Sequence, residues 1–161
     1  MTKEAARSIV AMVLSGEMDP SHFIKWTDGP TAYRPVPVET FIDNDPQIVG
    51  GMKTLLDGWG CKVVAAGSQR EAIAQLARLR RAPDAVFADY HLDEGDGVDA
   101  IVALRWKFGP QLPAALITAD RSDDMRLRAN DKDIAVLNKP LKPAALRALL
   151  AQWRGRARAE A

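Results

Sequence analysis

From Glu39 onward, short apolar runs alternate with apolar stripes at helical spacing. Phe41-Ile42 opens a buried strand, and Ile48, Val49, Met52, Leu55 and Leu56 then repeat as one face of a helix. Asp45 caps that helix, Pro46 suits its first turn, and Gly58 and Gly60 end it. Val63-Val64-Ala65 reads as a second strand, and Ser68 to Glu71 ("SQRE") as a capping box that starts a second helix. A third strand, Ala85-Val86-Phe87, runs into Asp89, and Val98, Ile101, Leu104 and Phe108 mark a third helix. "AALIT" is a fourth strand, followed by a short polar helix around residues 122 to 129, and "IAVLN" is a fifth. Leu146, Leu149, Leu150 and Trp153 form the apolar face of a last helix that begins at Pro143. Strands alternating with helices in this way predict an open parallel sheet covered on both faces.

The first 38 residues differ. Ala6, Ile9, Val10 and Val13 share one helical face, which predicts an amphipathic helix ending near Gly16. The proline- and turn-rich stretch that follows, "DPSHFIKWTDGPTAYRPVPVET", reads as a linker or extended arm. At the other end, Arg154, Arg156 and Arg158 make the terminus basic and read as exposed, solubilising charges. The expected organisation is an appendage over 1–38, a folded domain over 39–154 and a flexible basic tail over 155–161.

Composition narrows the function. The chain has 161 residues, 47% of them hydrophobic and 27% charged, which suits one soluble domain with a real core. A formal net charge of +1 argues against a general electrostatic grip on nucleic acid. Cys61 is the only cysteine, so no intramolecular disulfide or zinc-thiolate cluster can form, which fits a reducing, cytoplasmic setting. No apolar run approaches the ~20 residues of a membrane span. "SIVAMVLSG" is too short for a signal peptide, follows Glu4 and lacks an obvious cleavage site.

The chemistry gathers at the strand ends: Asp43-Asn44-Asp45 after the first, Asp89 after the third, Thr118 after the fourth and Lys139 after the fifth. In such sheets, ligands bind outside the carboxyl ends of the strands. Carboxylates crowd together tolerably only around a cation. Oxygen donors with a neighbouring lysine suit Mg²⁺ together with a phosphoryl group. Asp93, Glu94 and Asp96 then read as a solvated loop. "GGMKT" lacks a glycine directly before its lysine and is not a phosphate loop; Gly50 and Gly51 are expected to permit close packing of the first helix.

"FIDNDP", "FADYHL", "LITAD" and "LNKP", in this order and each at the end of its strand, resemble the receiver domains of two-component response regulators. The resemblance covers roughly residues 39 to 153, and the subtype is most similar to receivers at the C-terminus of hybrid sensor histidine kinases. It implies a flavodoxin-like, doubly wound (βα)5 fold with the N-terminal helical or extended appendage added. It also implies that Asp89 is a phosphoacceptor taking a phosphoryl group from phosphohistidine, a nucleophilic role for a carboxylate. Asp43, Asn44, Asp89 and the His91 backbone carbonyl would hold Mg²⁺, while Thr118 and Lys139 would bind phosphoryl oxygens. A cis peptide is implied before Pro140. His91 and Asp120 would flank the path of attacking water and tune the phosphate's lifetime.

Two positions depart from the family. Asn44 stands where a second acid is usual. Val136 stands where many receivers carry an aromatic residue that swings inward, so little rearrangement of the last strands is expected. The implied partner is a histidine kinase or a histidine phosphotransfer domain, with homodimerisation possible and no contact to nucleic acid or membrane. The chain would not be an enzyme beyond assisting its own phosphorylation and dephosphorylation. Two alternatives stay open. "FIDNDP" also has the form found in haloacid-dehalogenase-like phosphatases, which would make Asp43 the nucleophile and Asp45 the acid. A degenerate receiver would act as a phosphorylation-independent interaction module.

Overall fold

In the computed structural model, the structure describes residues 23–25 and 33–160, with side-chain surroundings for 36–156. The helix expected over residues 1–16 lies outside the described residues. Within the stretch read as a linker or arm, β1 (Phe23–Lys25) and β2 (Tyr33–Pro35) pair antiparallel. There follow β3 (Val38–Ile42), α1 (Pro46–Gly58), β4 (Lys62–Ala66), α2 (Gln69–Leu79), β5 (Ala85–Asp89) and α3 (Gly97–Phe108). The chain then forms β6 (Ala114–Thr118), α4 (Asp123–Asp131), β7 (Ala135–Asn138) and α5 (Pro143–Glu160).

Strands β3 to β7 form one parallel five-stranded sheet in the order β4-β3-β5-β6-β7. This is the flavodoxin-like, doubly wound architecture. Its strands read as continuous apolar runs because both faces are covered. Val86, Ala88, Ala114 and Leu116 point into a core shared with α2, α3 and α4. Phe41, Phe87, Ala115 and Ile117 point the other way, against Met52 and Leu56 of α1 and Leu146 and Leu150 of α5. Connection direction reverses between β3 and β5, and the crevice beyond their carboxyl ends is where such a sheet binds ligands.

Local signals place most elements. Asp45 caps α1 by accepting from the Gln47 N–H at 3.0 Å, with Pro46 in the first turn. Ser68 caps α2, accepting from the Glu71 N–H at 3.2 Å. The expected reciprocal half of that box differs: the Glu71 carboxylate reaches the Gly67 N–H at 2.8 Å instead. The reciprocal box occurs at α3, between Asp96 and Asp99. Asp96 is therefore a helix cap, and it also accepts from Arg128 of α4 at 2.7 Å, rather than being one more solvated loop acid. Gly50 and Gly51 correct another expectation, because a Cβ at either would meet nothing within 4 Å.

Helix α5 runs through Glu160, past the boundary expected at 154, and Arg154 is not a free surface charge. Its guanidinium donates to the buried Glu39 carboxylate at 3.3 Å and contacts the Cys61 sulfur at 3.2 Å. The physical reason is that α5 packs on the sheet face toward which Glu39, near the start of β3, is buried.

Gly97 fixes α3 against the site. A Cβ there would stand 2.4 Å from the Asp89 carbonyl oxygen and 2.7 Å from Leu116 Cδ2, and its N–H donates to the Tyr90 carbonyl at 2.9 Å. A backbone carbonyl cannot swing aside as a side chain can. Gly97→Ala should therefore destabilise the domain by about 1–3 kcal/mol in urea unfolding, the usual cost of overpacking. An unchanged midpoint would mean that α3 slides without penalty.

Candidate functional site

Asp43 and Asp89 are both buried, at 2% and 5% exposure, at the ends of the adjacent strands β3 and β5. Asp43 Oδ1 accepts the Asp45 N–H at 2.9 Å, whereas its Oδ2 is buried without any hydrogen-bond partner. Burial pushes the Asp43 carboxyl above its ordinary range; the Asp45 amide opposes this, and the charge of Asp89 adds to it. Asp89 Oδ1 accepts the His91 N–H at 3.2 Å, and its Oδ2 pairs with Lys139 Nζ at 3.0 Å. Lys139 follows β7, reaches across β6, and precedes a cis peptide to Pro140.

Thr118 ends β6 fully buried, and its Oγ1 accepts the Asp120 N–H at 2.9 Å. Asp120 is half-buried, and its carboxylate accepts the Ser122 N–H at 2.7 Å, which holds it below the usual carboxylate range. The His91 side chain is exposed and set edge-on to Tyr90. Val136 sits in the middle of β7, opposite Leu116 and half-buried against the core.

The strand ends thus bring Asp89 and Lys139 into direct charge contact, with Asp43 buried at the end of the adjacent strand and Thr118 at the end of the next. Asn44 lies at the rim, exposed, and its Nδ2 donates to Asp93 Oδ1 at 2.9 Å. The sequence pattern singled out Asn44 but not this partner, which comes from 49 residues away. Among the described residues, no three His, Cys, Asp or Glu side chains gather as a metal cluster. The two buried carboxylates, with the Asn44 carboxamide at the rim, are hard oxygen donors of the kind that suit Mg²⁺ rather than zinc. The orphaned, buried Asp43 Oδ2 beside a second carboxylate is what a cation would satisfy.

A family model described as the response regulator receiver domain matches residues 40–151. The chain belongs to this family. It is a receiver domain of two-component signalling. Solved structures agree at the level of fold. A receiver domain protein from Clostridium thermocellum has 20% identity and a TM-score of 0.70, covering 78% of this chain and 100% of that one. A CheY-like receiver domain protein from Methanospirillum hungatei has 18% identity and a TM-score of 0.70, covering 78% and 99%. The chemotaxis protein CheY4 of Vibrio cholerae has 20% identity and a TM-score of 0.66, covering 73% and 98%. No curated protein matches the chain. The five-stranded parallel sheet of this receiver, covered by helices on both faces, agrees with what the sequence pattern and the resemblance imply. Among the described residues, no helix is long and apolar enough to cross a membrane.

Proposed function

We propose that this receiver accepts a phosphoryl group on Asp89 from a phosphohistidine, with Mg²⁺ held by Asp43, Asn44, Asp89 and the His91 carbonyl. The observation that carries the proposal is the pairing of Lys139 Nζ with Asp89 Oδ2 at 3.0 Å, beside the unpartnered Oδ2 of Asp43. When bound, Mg²⁺ would neutralise charge on the carboxylates and on the phosphoryl oxygens.

An Asp89 oxygen attacks phosphorus, the P–N bond to the histidine breaks, and the departing imidazole nitrogen takes up a proton. The product is an acyl phosphate. Lys139 then transfers its ion pair from the Asp89 carboxylate to a phosphoryl oxygen, and Thr118 exchanges its local contact for another. Beyond the Asp89 nucleophile itself, the chain's contribution is positioning and charge neutralisation. The donor is a histidine kinase or a histidine phosphotransfer domain, and the domain assists only its own phosphorylation and hydrolysis.

The phosphatase alternative needs Asp45 free as an acid, but its carboxylate is engaged as the α1 cap. Incubation with acetyl phosphate should raise the intact mass by one phosphoryl group, with magnesium required and the adduct labile in alkali. An unchanged mass with and without magnesium would favour a degenerate interaction module.

A further inference from the structure

Asn44 poses a problem within the proposed site. It is the member of the cation set that is exposed and uncharged, and an amide can turn either its oxygen or its nitrogen toward a metal. The contact with Asp93 resolves this ambiguity. A carboxylate can only accept hydrogen bonds, so at 2.9 Å it must face the Asn44 NH₂ and not the carbonyl. The amide oxygen Oδ1 is thereby left out of this hydrogen bond. Asp93 belongs to the loop that follows Asp89, and Asn44 to the loop that follows β3. The bond therefore ties together the two segments that carry the buried carboxylates.

We infer that Asp93 is a positioning residue for the Mg²⁺ site. It selects the amide orientation that leaves the Asn44 oxygen free for the cation, and it acts through Asn44. This inference rests on the proposed function of the site. Ordinary behaviour for an exposed loop aspartate would be a weak, salt-screened attraction for any cation, independent of residue 44.

The test is a magnesium titration of the full, unphosphorylated chain, paired with the NMR signals of the Asn44 side-chain amide. The wild type should bind Mg²⁺ and show the Asn44 NH₂ protons shifted downfield by their carboxylate partner. Asp93→Ala should weaken binding by about fivefold and return those protons to the range of a free amide. Asp93→Asn, whose carbonyl can still accept from Asn44, should recover most of the loss although the charge is gone. In an Asn44→Ala background, Asp93→Ala should have no further effect, the non-additivity expected of residues acting as one unit.

An equal loss in both backgrounds, or the same loss for Asp93→Asn and Asp93→Ala, would overturn the inference in favour of a simple charge effect. Unaltered affinity in Asp93→Ala, with wild-type binding intact, would overturn it alone. Absence of magnesium binding by the wild type would instead overturn the proposed function on which it rests.

Discussion

Asp89→Asn should abolish phosphoryl uptake from acetyl phosphate altogether, while Asp43→Asn should still take up one group, more slowly by about tenfold or more. The asymmetry follows from geometry. Asp89 is the carboxylate that Lys139 reaches at 3.0 Å, so the charge that builds on a transferring phosphoryl group has a cation beside it only there. Asp43 has no such partner; it holds the Asp45 N–H with one oxygen and leaves the other orphaned. An amide at position 89 keeps the size and much of the polarity of the native side chain but is not a nucleophile. An amide at position 43 removes a charge from the cation site and leaves the nucleophile in place. Intact-mass time courses of both variants decide the assignment. A stable adduct in Asp89→Asn that is lost in Asp43→Asn would exchange the two roles and favour the phosphatase reading.

The second large effect concerns stability at the opposite end of the sheet. Glu39, the second residue of β3, lies between the sheet and α5 and is only 1% exposed. One carboxylate oxygen accepts from Arg154 at 3.3 Å, and the other is buried without a partner. Burial is the dominant influence and pushes the carboxyl from an ordinary 4.5 to about 7; Arg154 opposes it, and the negative charge of Asp84 adds to it. The unfolded chain releases this proton near 4.5, so between 4.5 and about 7 the folded protein binds the more protons. The stabilisation from protonated Glu39 is complete below 4.5 and is lost as pH rises through about 7. A gap of this size is worth about 3 kcal/mol. Urea unfolding of the wild type should therefore show a fall of that order, most of it between pH 5 and pH 8. Glu39→Gln should flatten the slope and exceed the wild type in stability at pH 8. Asp43, also shifted upward by burial, contributes in the same direction, so the comparison that counts is between the two proteins. Parallel stability profiles would remove Glu39 as the source.

The contrast between these two regions shows what a sequence of this kind makes legible. Asp43, Asp89, Thr118 and Lys139 could be found because each follows a short apolar run at a strand end, and the topology of a parallel sheet brings such ends together. Asp45 and Pro46 were equally local, a cap and the residue beside it. Arg154 reads locally as a tail charge because its partner lies 115 residues earlier, near the start of β3. Nothing in the local pattern marks a glutamate among buried strand residues as paired with an arginine near the chain's end. Asp93 and Asp96 were hidden in an acid-rich loop for a related reason. Their separate partners, Asn44 and Arg128, lie on other elements and appear only once the chain is folded. The capping box at Ser68 was half right, since glutamate has reach enough to choose Gly67 over the cap residue itself.

The central claim is that the phosphoryl group resides on the carboxylate of residue 89. An acyl phosphate is reduced by borohydride to the alcohol, whereas free carboxylates and phosphate esters of serine or threonine are not. Phosphorylated protein treated with borohydride and mapped by peptide mass spectrometry should carry homoserine at position 89 and aspartate at 43, 45 and 93. Homoserine at position 43, with aspartate intact at 89, would contradict the assignment of Asp89 as the phosphoacceptor.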